Sequence, residues 1–132
     1  MRIVIQRVTE ARVCIGGTVH SEIGRGLAVL VGVENGDTAD DAKWLAAKTV
    51  ALRIFDDEAG VMNRSASDTG NRPAYIRAAG HDVAIPLYEL YCDECSRLLG
   101  RKVQQGVFGA DMQVALVNDG PVTIIIDSRL RE

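Results

Sequence analysis

Apolar and polar positions change period several times along the chain, and each change marks a new element. From Arg2 to Val8 they alternate, with Ile3, Ile5 and Arg7 on one side and Val4, Gln6 and Val8 on the other, which predicts a first strand. Arg7 therefore shares a face with two isoleucines, either snorkelling to a sheet edge or serving as an interface arginine that binds backbone carbonyls. Ala11 to Ile15 and Thr18 to Ile23 flank Gly16-Gly17, a hairpin signal. The unbroken apolar run Gly26 to Val33, GLAVLVGV, predicts a central strand covered on both faces. Thr38 with Asp41 caps a helix whose buried stripe is Ala42, Leu45, Ala46, Thr49 and Leu52, reaching about Phe55. Pro86 suits the first turn of a second helix from about Ile85 to Leu99, with Leu87, Leu90, Tyr91, Cys95 and Leu98 inward and Gly100 as terminator. Between them, Val61 to Ala84 loses strong periodicity, and no apolar strand is expected there.

The last third, Val107 to Ser128, organises the rest. Met112 to Val117 and Val122 to Ile126 are too short for helices and rich in Val and Ile, so they read as two strands joined by the tight connection Asn118-Asp119-Gly120-Pro121. Pro121 lacks the amide a ladder would use, which places it at an edge or at a strand's first residue. An X-Pro bond has lost most of its trans preference, so a cis Gly120-Pro121 peptide is open to this chain. Its flanking carbonyls would then point nearly the same way, a rigid acceptor pair for an ammonium. Strands first and last with two helices between predict an α/β fold of mixed, mostly antiparallel packed sheets, with both helices covering one face.

At 132 residues the chain is expected to form one domain, residues 1–132. A net charge of −3 argues against broad adhesion to DNA or RNA and leaves only a local basic groove for an RNA end. No apolar stretch approaches the ~20 residues that span a bilayer, and the chain opens on a strand pattern, so the expected location is cytoplasmic, away from membranes. Three cysteines, Cys14, Cys92 and Cys95, form no secreted disulfide framework and are expected reduced.

Candidate chemistry is sparse. Cys92-Asp93-Glu94-Cys95 matches C-x-x-C without the ligand count of a zinc site or the setting of a redox motif, and His20 and His81 stand alone, so neither a metal nor another cofactor is expected. Asp56-Asp57-Glu58 lack regular ligand spacing and read as a solvated turn. No G-x-S-x-G elbow or Walker loop occurs.

Four blocks, MRIVIQRV, EIGRGLAVLVGVENGDT, LRIFDDEAGVMN and GVFGADMQVALVNDGPVTIIIDS, stand in the order found in D-aminoacyl-tRNA deacylases, and the chain closely resembles that family over most of its length. The resemblance implies a cytosolic homodimeric hydrolase that cleaves the ester joining a D-amino acid to the 3′ end of tRNA. It implies that Gly120 and Pro121 form the motif that enters the other subunit's pocket and selects against L-amino acids. Arg7 would fix that motif from across the interface, and Phe108 and Met112 would line the pocket for the terminal adenosine. One departure stands out: the family's Ser-Gln-Phe-Thr-Leu-Tyr-Ala strand, whose threonine and amides form the reacting side, has no counterpart between VMNRSASDTG and NRPAYIRAAG. No catalytic residue is therefore assigned, with Ser65, Ser67 or Thr69 as substitute hydroxyls or as plain turn formers. The expected activity is a weakened deacylase. The alternatives are a non-catalytic dimeric relative that binds an aminoacyl or RNA end, and a truncated paralogue kept as a folded dimer.

Overall fold

The computed structural model describes residues 1–56, 62–64, 72–77 and 84–131. Its first strand, β1 (Arg2–Ile15), is longer than the sequence suggests, because Thr9 and Glu10 carry no turn chemistry and the strand continues through them, with a register irregularity between Val8 and Glu10. β1 changes partner instead of ending. Its first half pairs antiparallel with β3 (Gly26–Gly32), from Arg2↔Gly32 to Val8↔Gly26, and its second half pairs with β2 (Thr18–Ile23), ending at Ile15↔Thr18. Gly16 and Gly17 close that hairpin at φ +58 and +79, a backbone that glycine adopts without Cβ strain.

Helix α1 (Ala39–Ala51) begins where expected, and the Asp41 carboxylate accepts hydrogen bonds from the Thr38 amide at 2.8 Å and the Thr38 hydroxyl at 3.1 Å. It stops before Leu52, which is extended, so the stripe ends short of Phe55. A small hairpin follows, β4 (Phe55–Asp56) with β5 (Met62–Arg64). Residues 72–77 then form β6 (Arg72–Arg77), which lies parallel to β3 from Gly26↔Arg72 to Val31↔Arg77. This corrects the expectation of no strand in that stretch: the place beside β3 offers a ladder of unpaired backbone groups, and a segment without strong apolar periodicity fills it. Helix α2 (Ala84–Leu99) leads through Gly100, at φ +74, to β7 (Gln104–Gln105), parallel to β6.

The chain closes with β8 (Met112–Asp127), antiparallel to β1 from Ile15↔Met112 to Arg2↔Asp127. The sheet is mixed and mostly antiparallel, with β8 on the outer side of β1. On one face Ile3, Ile5, Leu27, Val29 and Val31 pack with Val122, Ile124 and Ile126 against both helices. Leu45 and Tyr91 are fully buried there, and such side chains contribute about 1.5–3 kcal/mol each in burial. The Thr49 hydroxyl donates to the Leu45 carbonyl at 2.8 Å and meets the Tyr91 hydroxyl at 2.7 Å, which satisfies both polar groups in the α1–α2 contact. On the opposite face Val8, Ala11, Val13, Ile23 and Ala28 make a second cluster with Met112 and Leu116. Beyond that cluster, Leu30, Val4 and Ile125 form one cross-strand row, with Leu30 40% and Ile125 65% exposed. The central strand is thus not covered on both faces within one chain. Among the described residues, no helix is long and apolar enough to cross a membrane.

Candidate functional site at the Gly120-Pro121 turn

The two apolar runs of the last third are one strand, not a hairpin. Both halves pair with β1 in the same direction, and between Val8↔Asn118 and Gln6↔Thr123 the four residues 119–122 loop out without ladder partners. Asn, Asp and Gly serve a bulge as readily as a reversal, and only pairing with β1 selects between them. Pro121 falls where no ladder bond is required of it. The Gly120-Pro121 peptide is cis, and both residues are exposed.

The bulge is tied at both ends. The Asn118 side-chain oxygen accepts from the Val122 amide at 3.1 Å, and its nitrogen donates to the Thr123 hydroxyl at 3.1 Å. Beneath it lies Arg7, only 8% exposed on the helix-covered face. Its Nε donates to the Asp119 carbonyl at 3.0 Å and its Nη1 to the Ile54 carbonyl at 2.6 Å. The Asp119 carboxylate also lies 3.4 Å from Arg7 Nε and 3.6 Å from Arg25 Nη1. Arg7 thus binds backbone carbonyls of its own chain. Gly120 makes room for it: a Cβ there would lie 2.9 Å from Arg7 Nη2 and 2.9 Å from Val122 Cγ2, at φ +128. The sequence reading did not single out Asn118, Asp119, Arg25 or Ile54 as supports. Only the first two carried a signal, as residues that bond local backbone in turns.

Phe108 and Met112 stand elsewhere. Both are half-buried, and Met112 Sδ accepts from the Val107 amide at 3.3 Å, which folds the 106–112 loop against the start of β8. Met112 pairs with Ile15 and Asn118 with Val8, so six residue steps along the strand separate the two places, about 20 Å at ~3.3 Å per residue. A single chain brings Arg7, Gly120 and Pro121 together and leaves Phe108 and Met112 apart from them.

The remaining candidates are placed as follows. Cys92 and Cys95 are buried in α2, and burial pushes the Cys92 thiol far above its ordinary value, so it is no thiolate near neutrality. Cys14 is half-buried in β1, and His20 is exposed on β2. Among the described residues, no three His, Cys, Asp or Glu side chains gather as a metal cluster. Asp57, Glu58, Ser65, Ser67, Thr69 and His81, and the Gly70-Asn71 junction, lie outside the described residues.

Comparison with known proteins adds a second line. The sequence profile of the D-Tyr-tRNA(Tyr) deacylase family matches in two pieces, residues 4–71 and 66–127. A protein of Porphyromonas gingivalis named D-aminoacyl-tRNA deacylase is 53% identical, and one of Parabacteroides distasonis with the same name is 51% identical, each covering 100% of both chains. Those alignments run over 150 positions against 132 residues here, a difference of 18. A solved structure titled c-Myc DNA Unwinding Element Binding Protein superposes with a TM-score of 0.89 at 31% identity, covering 96% of this chain and 98% of that one. A structure described as a probable eukaryotic D-amino acid tRNA deacylase shares the fold, with a TM-score of 0.79 at 13% identity over 95% of this chain and 97% of that one. The looped-out Gly-Pro turn over a buried arginine thus sits in a chain whose whole length aligns with named deacylases, and the protein belongs to the D-Tyr-tRNA(Tyr) deacylase family.

Proposed function

We propose that the protein hydrolyses the ester bond of D-aminoacyl-tRNA as a homodimer, with the Gly120-Pro121 turn of one protomer meeting Phe108 and Met112 of the other. The observation that carries this reading is the separation of about 20 Å along β8 between Met112 and the turn, in a strand that among the described residues pairs only with β1. A pocket needing both ends requires a second copy, and a two-fold contact brings opposite ends of one strand together. The edge of β8 away from β1, unpaired among the described residues, and the exposed row Leu30–Val4–Ile125 supply apolar and backbone surface for such a contact. Arg7, through Asp119 and Ile54, holds the turn for substrate.

Ester hydrolysis needs an activated water and donors for the developing oxyanion. The family's Ser-Gln-Phe-Thr-Leu-Tyr-Ala strand supplies that side in its relatives. The shortfall of 18 aligned positions, and a profile match that divides around residues 66–71, support the reading that this segment is missing from the sequence here, while β6 fills the place beside β3. Recognition of the D-amino acid is therefore retained while turnover is low.

The test measures deacylation of D-Tyr-tRNA beside L-Tyr-tRNA, for this chain and for a variant with Ser-Gln-Phe-Thr-Leu-Tyr-Ala inserted between Gly70 and Asn71. D-Tyr-tRNA is cleaved preferentially but slowly, and the insertion raises the rate on the order of a hundredfold, the scale of one oxyanion donor, with a smaller change in D over L preference. Equal rates on D and L substrates defeat the proposal. The missing donors also favour a second reading, a non-catalytic relative, and retained binding of D-aminoacyl-tRNA without any hydrolysis selects it.

A further inference from the structure

We propose that the cleft between β2 and β7 holds the nucleotide preceding the terminal adenosine of a single-stranded RNA 3′ end. This rests on the deacylase reading for one point only, the adenosine place at Phe108 and Met112. The cleft has a volume of about 350 Å³ and is lined by His20, Ser21, Lys102, Val103, Gln104, Gln105 and Gly106. Its size falls near the lower end of ligand sites, which start at about 300 Å³.

Position argues for the occupant. Gly106 has no side chain, and Met112 Sδ lies 2.5 Å from where its Cβ would stand, so the cleft adjoins Met112 at Gly106. A strand whose last base rests on Phe108 and Met112 has the cleft as its adjoining exit. The walls are fixed to each other, because the Ser21 hydroxyl donates to the Gln105 carbonyl at 2.9 Å and ties β2 to β7.

Chemistry argues for it too. Single-stranded RNA is read by hydrogen bonds to base edges, and a glutamine amide offers donor and acceptor together; Gln104 and Gln105 are half-buried at the wall. Lys102, exposed at the rim, matches a phosphate, and none of the described lining residues is acidic. In a chain of net charge −3, such a local cation is what an RNA end can use. The lining is too polar for an apolar peptide, since its one aliphatic member, Val103, is buried in the helix-side core.

The test is fluorescence anisotropy with a labelled ACCA tetraribonucleotide, competed by adenosine, on wild type, Lys102→Ala, Lys102→Arg and Gln104→Ala, with thermal melts to check folding. ACCA binds at least ~10-fold tighter than adenosine, and Lys102→Ala removes most of that advantage and flattens the slope of log Kd against log salt by about 0.7, one single-strand phosphate contact. Lys102→Arg keeps the slope, and Gln104→Ala lowers the advantage while leaving the slope unchanged. Equal affinity for ACCA and adenosine, or a Lys102→Ala protein with unchanged advantage and slope, overturns the proposal. Failure of the deacylase reading looks different: D-Tyr-tRNA is not hydrolysed, while the Lys102-dependent gain for ACCA stands.

Discussion

Replacing Arg7 by alanine removes the link between the turn and the fold. Arg7 is 8% exposed, and its guanidinium donates to two backbone carbonyls, Ile54 at 2.6 Å and Asp119 at 3.0 Å. Hydrogen bonds from a charged donor are worth about 1.5–3 kcal/mol each, which sets an upper sum of ~6 kcal/mol if both carbonyls stay dry. Water reaches the Asp119 side, because Gly120 and Pro121 are exposed, while the Ile54 carbonyl lies at a buried position. The expected loss is therefore about 3 kcal/mol, mostly from the Ile54 bond. Arg7→Lys keeps the charge but reaches one acceptor at a time, so it loses about half as much. Urea unfolding at constant m-value measures both, and D-Tyr-tRNA deacylation measures the turn, with kcat/KM falling at least tenfold in Arg7→Ala at a temperature where it remains folded. An Arg7→Ala loss under about 1 kcal/mol, or equal effects of Ala and Lys, refutes the account of Arg7 as the support of Gly120.

Gly120→Ala places a Cβ at φ +128 and 2.9 Å from both Arg7 Nη2 and Val122 Cγ2, and should cost about 1–3 kcal/mol with loss of deacylation; a melt within 1 °C of wild type contradicts it. Asp41 is lowered from 3.8 to about 2, first by the Thr38 amide and then by the Ser128 hydroxyl. A depressed folded-state value means this contribution is fully present above about pH 4 and is lost as pH falls toward 2, so acid unfolding of Asp41→Asn should show a shallower slope there. Identical acid slopes reject that cap. Ile125→Glu, at an apolar position 65% exposed, should convert a sedimenting dimer to monomer at micromolar concentration, and a monomeric wild type ends the homodimer proposal.

What the sequence determined alone was local. The Thr38–Asp41 cap, the Gly16-Gly17 hairpin, the helix before Gly100 and the shared face of Arg7 with Ile3 and Ile5 all follow from neighbours a few residues apart. The Gly-Pro turn was legible as a polar break between apolar runs, and the wording of four blocks identified the family. Tertiary structure decided what local chemistry leaves degenerate. Asn-Asp-Gly-Pro satisfies a hairpin or a bulge, and β1, pairing on both sides of it in one direction, makes it a bulge. Residues 72–77 look like a loop until β3 presents a ladder to complete. The acceptors of Arg7 lie 47 and 112 residues away in sequence, so no spacing pattern contains them. The distance between Met112 and the turn is likewise a property of β8 as a continuous strand, and it appears only once backbone hydrogen bonding to β1 has fixed the chain's direction.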